Sequence, residues 1–381
     1  MKRSIILSDR SQEAALIASL AGRTDAAALR VLKFHGMPDL SRTPGNPVNL
    51  VCERVKAIPE FSGFDLVETP EAVGLHETFD LFNFAPDHPA RRPSDTYFVT
   101  EDRILRTHTT VLWYYYLGRP EIRQRLEREG EIGALSHGKV YRKDEIDARH
   151  FPVFHQIDGL YLCSKDKKNV GRQDLVDVLV RMAKAVFGEG IEWRVNDDKF
   201  PYTDPSVEME IMFRGKWMEI LGAGVVLPAV LKNLGVDPDK YNGWAFGPGI
   251  ERLAMIAKGI QDIRILWSQD QRITAQWGNL DKPYQDVSKY PSTYRDISFL
   301  LPKDVAPNAY FEIVRDCGGD MVEEVAQLDR YENPAKFGDK VSYLYRVVYR
   351  SHERTLTNDE VNATQTLIRS DVETQLGATL R

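Results

Sequence analysis

The stretch VEMEIMFRGKWMEILGAGVV, residues 207–226, constrains the fold more than any other. Apolar and polar residues alternate on both sides of Arg214-Gly215. That period of two sends successive side chains to opposite faces of a sheet. The spacing predicts two antiparallel strands turning at Arg214-Gly215, with Trp217 and Glu219 on one face and Met218 and Ile220 on the other. Other strands are read at GFDLVETPEAV and DTYFVT, and at VYRKDEID and FPVFHQIDGLYLC, the last two paired around a turn. Helices lie between them. An Ala- and Leu-rich lead-in runs over 11–36, and a helix starting near Pro47 puts Val48, Val51, Val55 and Ile58 on one face. EIRQRLEREGEI, GRQDLVDVLVRMAKAVFG and GIERLAMIAKGI are further helices. Strands and helices mix without βαβ regularity, so the expected class is α+β, a largely antiparallel sheet with flanking helices.

Near residue 276 the character changes. WGNLDKPYQDVSKYPS is polar and carries two prolines, as a linker does. Beyond it, YRDISFLLP, NAYFEIVRDCGGD, MVEEVAQLDRY, SYLYRVVYRS and NDEVNATQTLIRSDVETQLG read as β-α-β-β-α, a ferredoxin-like α+β unit, and ATLR is placed to add a final strand. The expected division is a helical lead-in over 1–45, a main domain over 46–275, a linker over 276–288 and the small domain over 289–381.

A chain of 381 residues has room for two or three such domains. Its net charge of -6 gives no global basic field, so any nucleic-acid contact must come from local patches. Cys52, Cys163 and Cys317 form no C-x-x-C, which fits a reducing compartment and argues against a zinc site. No run of about twenty apolar residues is present, so no membrane span is expected. The basic start soon meets Asp9 and Glu13 without a small-residue cleavage site. The expected location is cytoplasmic, with the mitochondrial matrix as the alternative.

Four segments carry chemistry. In GWAFGPGIERL, the glycines at 243, 247 and 249 let backbone approach a flat ligand. Arg252 follows in a helix's first turn, where it opposes the macrodipole; a phosphate or an adenine face would hold it there. The plain alternative is a turn before a core helix with a surface arginine. Glu219 in KWMEILGAG is a candidate Mg²⁺ ligand or a strand-edge glutamate. In FPYTDPS, Phe200 and Tyr202 either wall an aromatic-ring pocket or pack a surface loop. GKVYRKDEIDARHFPVFHQIDGL is charged enough for a solvated hairpin tip. If a nucleotide lies over the sheet, Arg142 is the natural clamp on its α-phosphate. Phe154 would then stack one adenine face and Arg252 the other, while Gln156 and Asp158, on the side of Phe154, would read an ammonium.

These segments, with HPAR, DTYF and LRTHT, stand in the order of the class II aminoacyl-tRNA synthetases. The chain resembles the phenylalanyl-tRNA synthetase family in its single-chain, mitochondrial-type form, with a C-terminal ferredoxin-fold anticodon-binding domain, over roughly residues 46–381. VYRKDEIDARHFPVFHQ is similar to the family's motif 2 and GWAFGPGIERLAM to motif 3. The resemblance implies a ligase that uses ATP and Mg²⁺, acts on phenylalanine and tRNA(Phe), has no membrane association and is a monomer. It assigns Arg142 to the α-phosphate, Arg252 to the γ-phosphate and adenine, Phe154 to the adenine and Glu219 to Mg²⁺. Asp144 would orient Arg142 or the ammonium, and His150 would reach the phosphates. His108, Thr110, Gln156 and Asp158 would surround the amino acid's ammonium and carboxylate, Phe200 and Tyr202 its ring, and Ala245 would bound the pocket floor.

Departures from the family lie around the amino acid. Thr110 stands for the usual Ser, Asp158 for Glu and Tyr202 often for Phe; Pro248 replaces an apolar residue, and VLWYYYL after RTHTT is unusual. They keep open a paralogue that activates another aromatic acid, tyrosine or a hydroxylated phenylalanine. A non-catalytic RNA-binding protein is the other alternative. In the small domain Arg346, Arg350 and Arg354, interleaved with tyrosines, form either an RNA surface or an ordinary half-buried strand.

Overall fold

The computed structural model describes residues 4–6, 10–287 and 290–381. The start at Met1 and the junction at 288–289, where the linker was expected to end, lie outside the described residues. By internal contacts the chain divides into two units. The first takes residues up to Tyr141, Val153–Ile260 and Trp277–Pro283; the second takes Arg142–Pro152, Gln261–Gln276 and Tyr284–Arg381.

The strands of the first unit are β1 Ser4–Ile6, β2 Asp65–Glu68, β3 Ala72–Gly74, β4 Arg103–Leu105, β5 Glu131–Tyr141, β6 Val153–Ser164, β7 Trp193–Phe200, β8 Thr203–Phe213, β9 Lys216–Val226 and β10 Tyr241–Phe246. Eight of them form one sheet in the order β1-β2-β5-β6-β10-β9-β8-β7, and β3 and β4 form a separate ribbon. β1, β2 and β5 run parallel; every other neighbouring pair is antiparallel. The class is α+β, as the mixed pattern requires.

The β8–β9 hairpin turns where expected. Arg214 (φ 50°) and Gly215 (φ 78°) are both left-handed, as a two-residue turn that matches strand twist demands. Three strand expectations need correction. GFDLVETPEAV splits into β2 and β3. DTYFVT makes only a single bridge, Phe98 to Ile104, because the amides of Val99 and Thr100 both turn back onto the Arg103 carbonyl. VYRKDEID leaves the sheet after Tyr141, since the charged run beyond it has no apolar face to bury, while β5 begins earlier, at Glu131.

One face of the sheet carries Tyr161, Trp244 and Phe246, packed with Phe61 and Phe64. Helices Pro47–Lys56, Arg172–Phe187 and Ile250–Lys258 pack together, and Val48, Val51 and Val55 are wholly buried. The opposite face buries Leu160, Leu162, Val226 and Ala245 against Leu112, Trp113 and Tyr116. Phe154, Gln156 and Asp158 share the strand side of Leu160, so they point to this second face.

A bulge decides where Glu219 points. Met209 opposes Leu221 but Glu210 opposes Glu219, leaving Ile220 as the extra residue on β9. Directly opposed residues share a face. Glu208 and Ser206 oppose Gly222 and Gly224, so the bulge brings Glu219 onto the face of those glycines. Without it, Glu219 would lie on the side of Leu221.

The lead-in is tied into the first unit. Glu13 accepts the amides of Glu71 (2.6 Å) and Ala72 (2.8 Å), and the Lys139 ammonium donates to the carbonyls of His35 (2.6 Å) and Met37 (2.8 Å). The expected linker is partly embedded: Leu280 is buried, and Lys258 donates to the carbonyls of Asn279 and Lys282.

In the second unit, β11 Thr293–Pro302, β12 Val322–Glu332, β13 Lys340–Tyr349 and β14 Thr379–Leu380 form an antiparallel sheet in the order β12-β13-β11-β14. With helices Asn308–Gly318 and Asn358–Leu376 this is the ferredoxin-like unit, and ATLR does supply the last strand. Phe299, Tyr310, Tyr345 and Tyr349 centre its core. The loop Arg142–Pro152 belongs to this unit: Ile146 joins the core, Val325 N–H donates to Ile146 O (2.8 Å), and Arg315 donates to the carbonyls of Asp144 and Glu145. Among the described residues no helix is long and apolar enough to cross a membrane.

Candidate active site

The site is built on β6. On the strand side away from Phe154 and Gln156, His155 is wholly buried, with Nδ1 2.6 Å from Glu251 Oε1 and Nε2 3.3 Å from Asp39 Oδ1; the His155 N–H donates to Glu251 Oε2 at 2.8 Å. Burial disfavours the imidazolium, but the Glu251 and Asp39 carboxylates outweigh it and raise the ring to about 9. The Leu40 amide also lies 3.0 Å from Nε2, a contact that only the neutral ring would accept. Interactions between charges are roughly twice as strong as neutral hydrogen bonds, so the two carboxylates prevail.

Glu251 opens the helix Ile250–Lys258, so the same pair fixes the glycine-proline-glycine turn against β6. Ile157 N–H donates to Pro248 O (3.2 Å), and Gly247 N–H donates to Gly222 O on β9 (3.2 Å). A Cβ at Gly247 would sit 3.2 Å from Asp158 Oδ2, so the glycine keeps that carboxylate uncovered.

Arg252 answers the question its position raised. Its Nη1 lies 3.1 Å from Glu219 Oε1, and both side chains are about half exposed. The candidate phosphate arginine and the candidate magnesium ligand thus hold one another at an open edge. Across the hairpin from Glu219 stands Glu210, already paired with Arg194 (2.5 Å) and accepting a hydrogen bond from the Asn196 amide (2.7 Å). One or two solvent-facing carboxylates suit Mg²⁺, which takes its remaining ligands from phosphates and water. Among the described residues no cluster of three or more His, Cys, Asp or Glu is placed for a protein-only metal cage.

Deeper along β6, Asp158 is 2% exposed and accepts two hydrogen bonds, from Thr110 Oγ1 (2.9 Å) and Trp113 Nε1 (3.1 Å). Burial pushes its carboxyl up to about 7 against the pull of both donors. Gln156 Oε1 accepts the Thr109 N–H (3.2 Å). Around them stands a ring of aromatics. Tyr202 stacks on Phe200 (6.0 Å) and meets Phe82, Phe84 and Trp113 at 5.9–6.2 Å; His108 stacks on Phe84 at 5.8 Å. Ala245 lies in the same apolar cluster as Trp113 and Tyr202. Gly222 admits the Phe200 ring, because a Cβ there would come within 2.6 Å of it.

Sequence reasoning missed Phe82, Phe84 and Trp113, although the runs FDLFNF and VLWYYYL announce them. It also passed over Arg106. That buried guanidinium donates to Lys139 O (2.7 Å), Thr69 Oγ1 (2.7 Å), Thr69 O (3.1 Å) and Pro70 O (3.2 Å), fixing the segment that presents His108 and Thr110.

Arg142, Asp144 and His150 lie on the loop described with the second unit. The Arg142 amide donates to Pro152 O (3.1 Å), closing the loop, and the side chain is exposed. The Asp144 carbonyl is taken by Arg315. His150 Nδ1 is 2.8 Å from Asp147 Oδ2, and that hydrogen bond raises the imidazole.

Residues 36–277 match the family of tRNA synthetases class II core domain (F), and residues 288–381 match the ferredoxin-fold anticodon binding domain. Relatives span most of the chain. It is 36% identical to a mitochondrial phenylalanine–tRNA ligase of Dictyostelium discoideum, over 84% of this chain and 80% of that one. It is 39% identical to a chloroplastic/mitochondrial one of Arabidopsis thaliana (81% and 71%) and 36% identical to a mitochondrial one of Mus musculus (83% and 77%). The chain belongs to the phenylalanine–tRNA ligase family of class II aminoacyl-tRNA synthetases.

In this ligase-family chain the three candidate RNA-binding arginines of the anticodon-binding domain are all paired. Arg346 makes two bonds of 2.8 Å to Asp296 and lies over the Tyr294 ring at 3.9 Å; Arg350 Nε is 3.1 Å from Glu323 Oε2, and Arg354 Nη2 is 2.5 Å from Glu360 Oε1. Tyr343, Tyr345 and Tyr349 alternate inward into the core, the half-buried strand that was the plainer reading of this segment.

Proposed function

We propose that this chain attaches phenylalanine to tRNA(Phe) at the expense of ATP, through a phenylalanyl-adenylate. The observation that carries the reading is the fully buried Asp158 at the edge of the aromatic ring formed by Phe82, Phe84, Phe200 and Tyr202. An acid beside a set of rings matches an ammonium and a phenyl group on one small molecule. Asp158, Gln156, His108 and Thr110 hold the ammonium and carboxylate, the rings hold the phenyl group, and Ala245 bounds its far end. Phe154 and Arg252 take the adenine, Arg252 the γ-phosphate and Arg142 the α-phosphate, with Asp144 and His150 supporting from the same loop. Mg²⁺ held by Glu219 supplies charge neutralisation of the phosphates.

The substrate carboxylate oxygen attacks the α-phosphorus and the bond to pyrophosphate breaks. The 2′-hydroxyl of the tRNA's terminal ribose then attacks the acyl carbon, and AMP leaves. No protein nucleophile is required; the side chains position the reactants and stabilise charge at phosphorus. Family membership and the intact motif 2 and motif 3 sets favour this over an RNA-only role. The second unit is the anticodon-binding part, and the protein acts as a monomer. The relatives named above are mitochondrial or chloroplastic ones, which favours a mitochondrial matrix location over the cytoplasmic one.

The test is amino-acid-dependent ATP–pyrophosphate exchange with Mg²⁺, across phenylalanine, tyrosine, meta-tyrosine and tryptophan. Phenylalanine is the expected preference. Preference for another acid would make Thr110, Asp158 and Tyr202 a specificity switch; folded protein without any exchange would end the catalytic reading.

A further inference from the structure

We infer that Trp113 is a positioning residue of the amino-acid subsite: its indole N–H, together with the Thr110 hydroxyl, clamps the short Asp158 carboxylate in the orientation that receives the substrate ammonium. The inference rests on the function proposed above and deepens it. An aspartate side chain is short, so its carboxylate stays close to β6 and needs partners that come to it. Trp113 Nε1 reaches Oδ1 at 3.1 Å and Thr110 Oγ1 reaches Oδ2 at 2.9 Å, so each oxygen has one donor. Both donors come from one segment, three residues apart, held by the buried Arg106 ahead of it.

The indole cannot swing away. Trp113 is 1% exposed and packs edge-on between Phe82 (5.3 Å) and Tyr202 (5.9 Å). An indole nitrogen only donates, so it orients the carboxylate without competing for the ammonium. A carboxylate offers about four lone-pair sites. Two are taken by the clamp and the others remain, with the space beside Oδ2 kept clear by Gly247. Both clamp bonds also favour the ionised acid, which burial opposes. Losing one should therefore leave more of the acid protonated and unable to pair with an ammonium. Titratable side chains on the elements packed here include His108, two residues before Thr110, Tyr202 against the indole, Tyr114 to Tyr116 on the helix of Trp113, and His155 and Tyr161 on β6.

The test is Trp113→Phe in full-length protein, which keeps an aromatic ring and removes the N–H. In pyrophosphate exchange the KM for phenylalanine should rise about 10–100-fold, with the KM for ATP unchanged within about twofold. The acid limb of kcat/KM for phenylalanine should move to higher pH; a limb owned by His108 would stay in place. Unaltered phenylalanine KM and unaltered limb, beside active wild type, would overturn the inference and leave the function standing. Wild type inactive on every aromatic acid would overturn both. If the variant folds poorly, the wild type labelled with ¹⁵N-tryptophan supplies the second measurement. The Trp113 indole resonance should shift with the titration of Asp158 and again on phenylalanine binding, and a resonance indifferent to both would overturn the inference.

Discussion

His155 and Glu251 form a buried bracket between β6 and the helix that follows the glycine turn: the ring nitrogen and the backbone N–H of one residue bind the two oxygens of the other, at 2.6 and 2.8 Å. On either side of His155 stand Phe154 and Gln156, and beside Glu251 stands Arg252. The pair therefore sets the spacing between Phe154 and Arg252, the two residues proposed to hold the adenine. Glu251→Ala removes one partner of a buried ion pair and is expected to cost about 3–5 kcal/mol. Urea unfolding measures it; a loss under 1 kcal/mol would mean the bracket is dispensable.

Arg252→Ala removes the arginine that faces Glu219 at the open edge. Pyrophosphate exchange should fall by about 10²–10³, with phenylalanine binding, read by calorimetry, unaffected. Glu219→Gln should instead raise the Mg²⁺ concentration needed for half-maximal exchange. A Mg²⁺ dependence identical to wild type would remove Glu219 from the metal site.

Gly222→Ala drives a methyl into the Phe200 ring, 2.6 Å from the new carbon. The ring must move, at a cost of about 1–3 kcal/mol, and the stacked Tyr202 with it. A raised KM for phenylalanine at nearly unchanged KM for ATP is the expected signature. Equal effects on both constants would place Phe200 outside the amino-acid site.

Ala245 lies in an apolar cluster, and its methyl leaves room for a substrate hydroxyl without bonding it. Tyrosine should be rejected in exchange assays by only about a hundredfold relative to phenylalanine. Discrimination beyond about 10⁴ would mean that a polar group of the pocket reads the para position.

In the second unit, burial would raise Asp262, but His352 and Arg264 outweigh it and hold the carboxyl at about 2. A depressed acid contributes stability that is present above its unfolded value near 3.8 and lost as pH falls through the folded one. About 2 kcal/mol should therefore disappear between pH 4 and pH 2, and Asp262→Asn should flatten that part of the profile. An unchanged profile would contradict the assignment.

Much was legible from neighbours along the chain. Alternation over 207–226 located the hairpin and its turn, the 3.6-residue period placed Val48, Val51 and Val55 in the core, and the shared side of Phe154, Gln156 and Asp158 followed from strand geometry. DTYFVT misled because its composition suits a strand while its amides fold back on Arg103. The run VLWYYYL stood out as unusual, but nothing in a local pattern distinguishes a ring beside a substrate from a ring beside a leucine, so Phe82, Phe84 and Trp113 were not singled out.

The sequence by itself determined most of the elements, the ferredoxin-like second unit and the family, because periodicity and motif order are properties of adjacent residues. Tertiary structure decided the rest. The bulge at Ile220 turned Glu219 onto the face where Arg252 meets it, a phase change invisible in the alternation on either side. Asp158 received its donors from a segment 45–48 residues earlier, and His155 its carboxylate from 96 residues later. Such partners are chosen by which side-chain atoms the packed backbones bring within about 3 Å of one another, and only the closed sheet with its helices in place sets that distance.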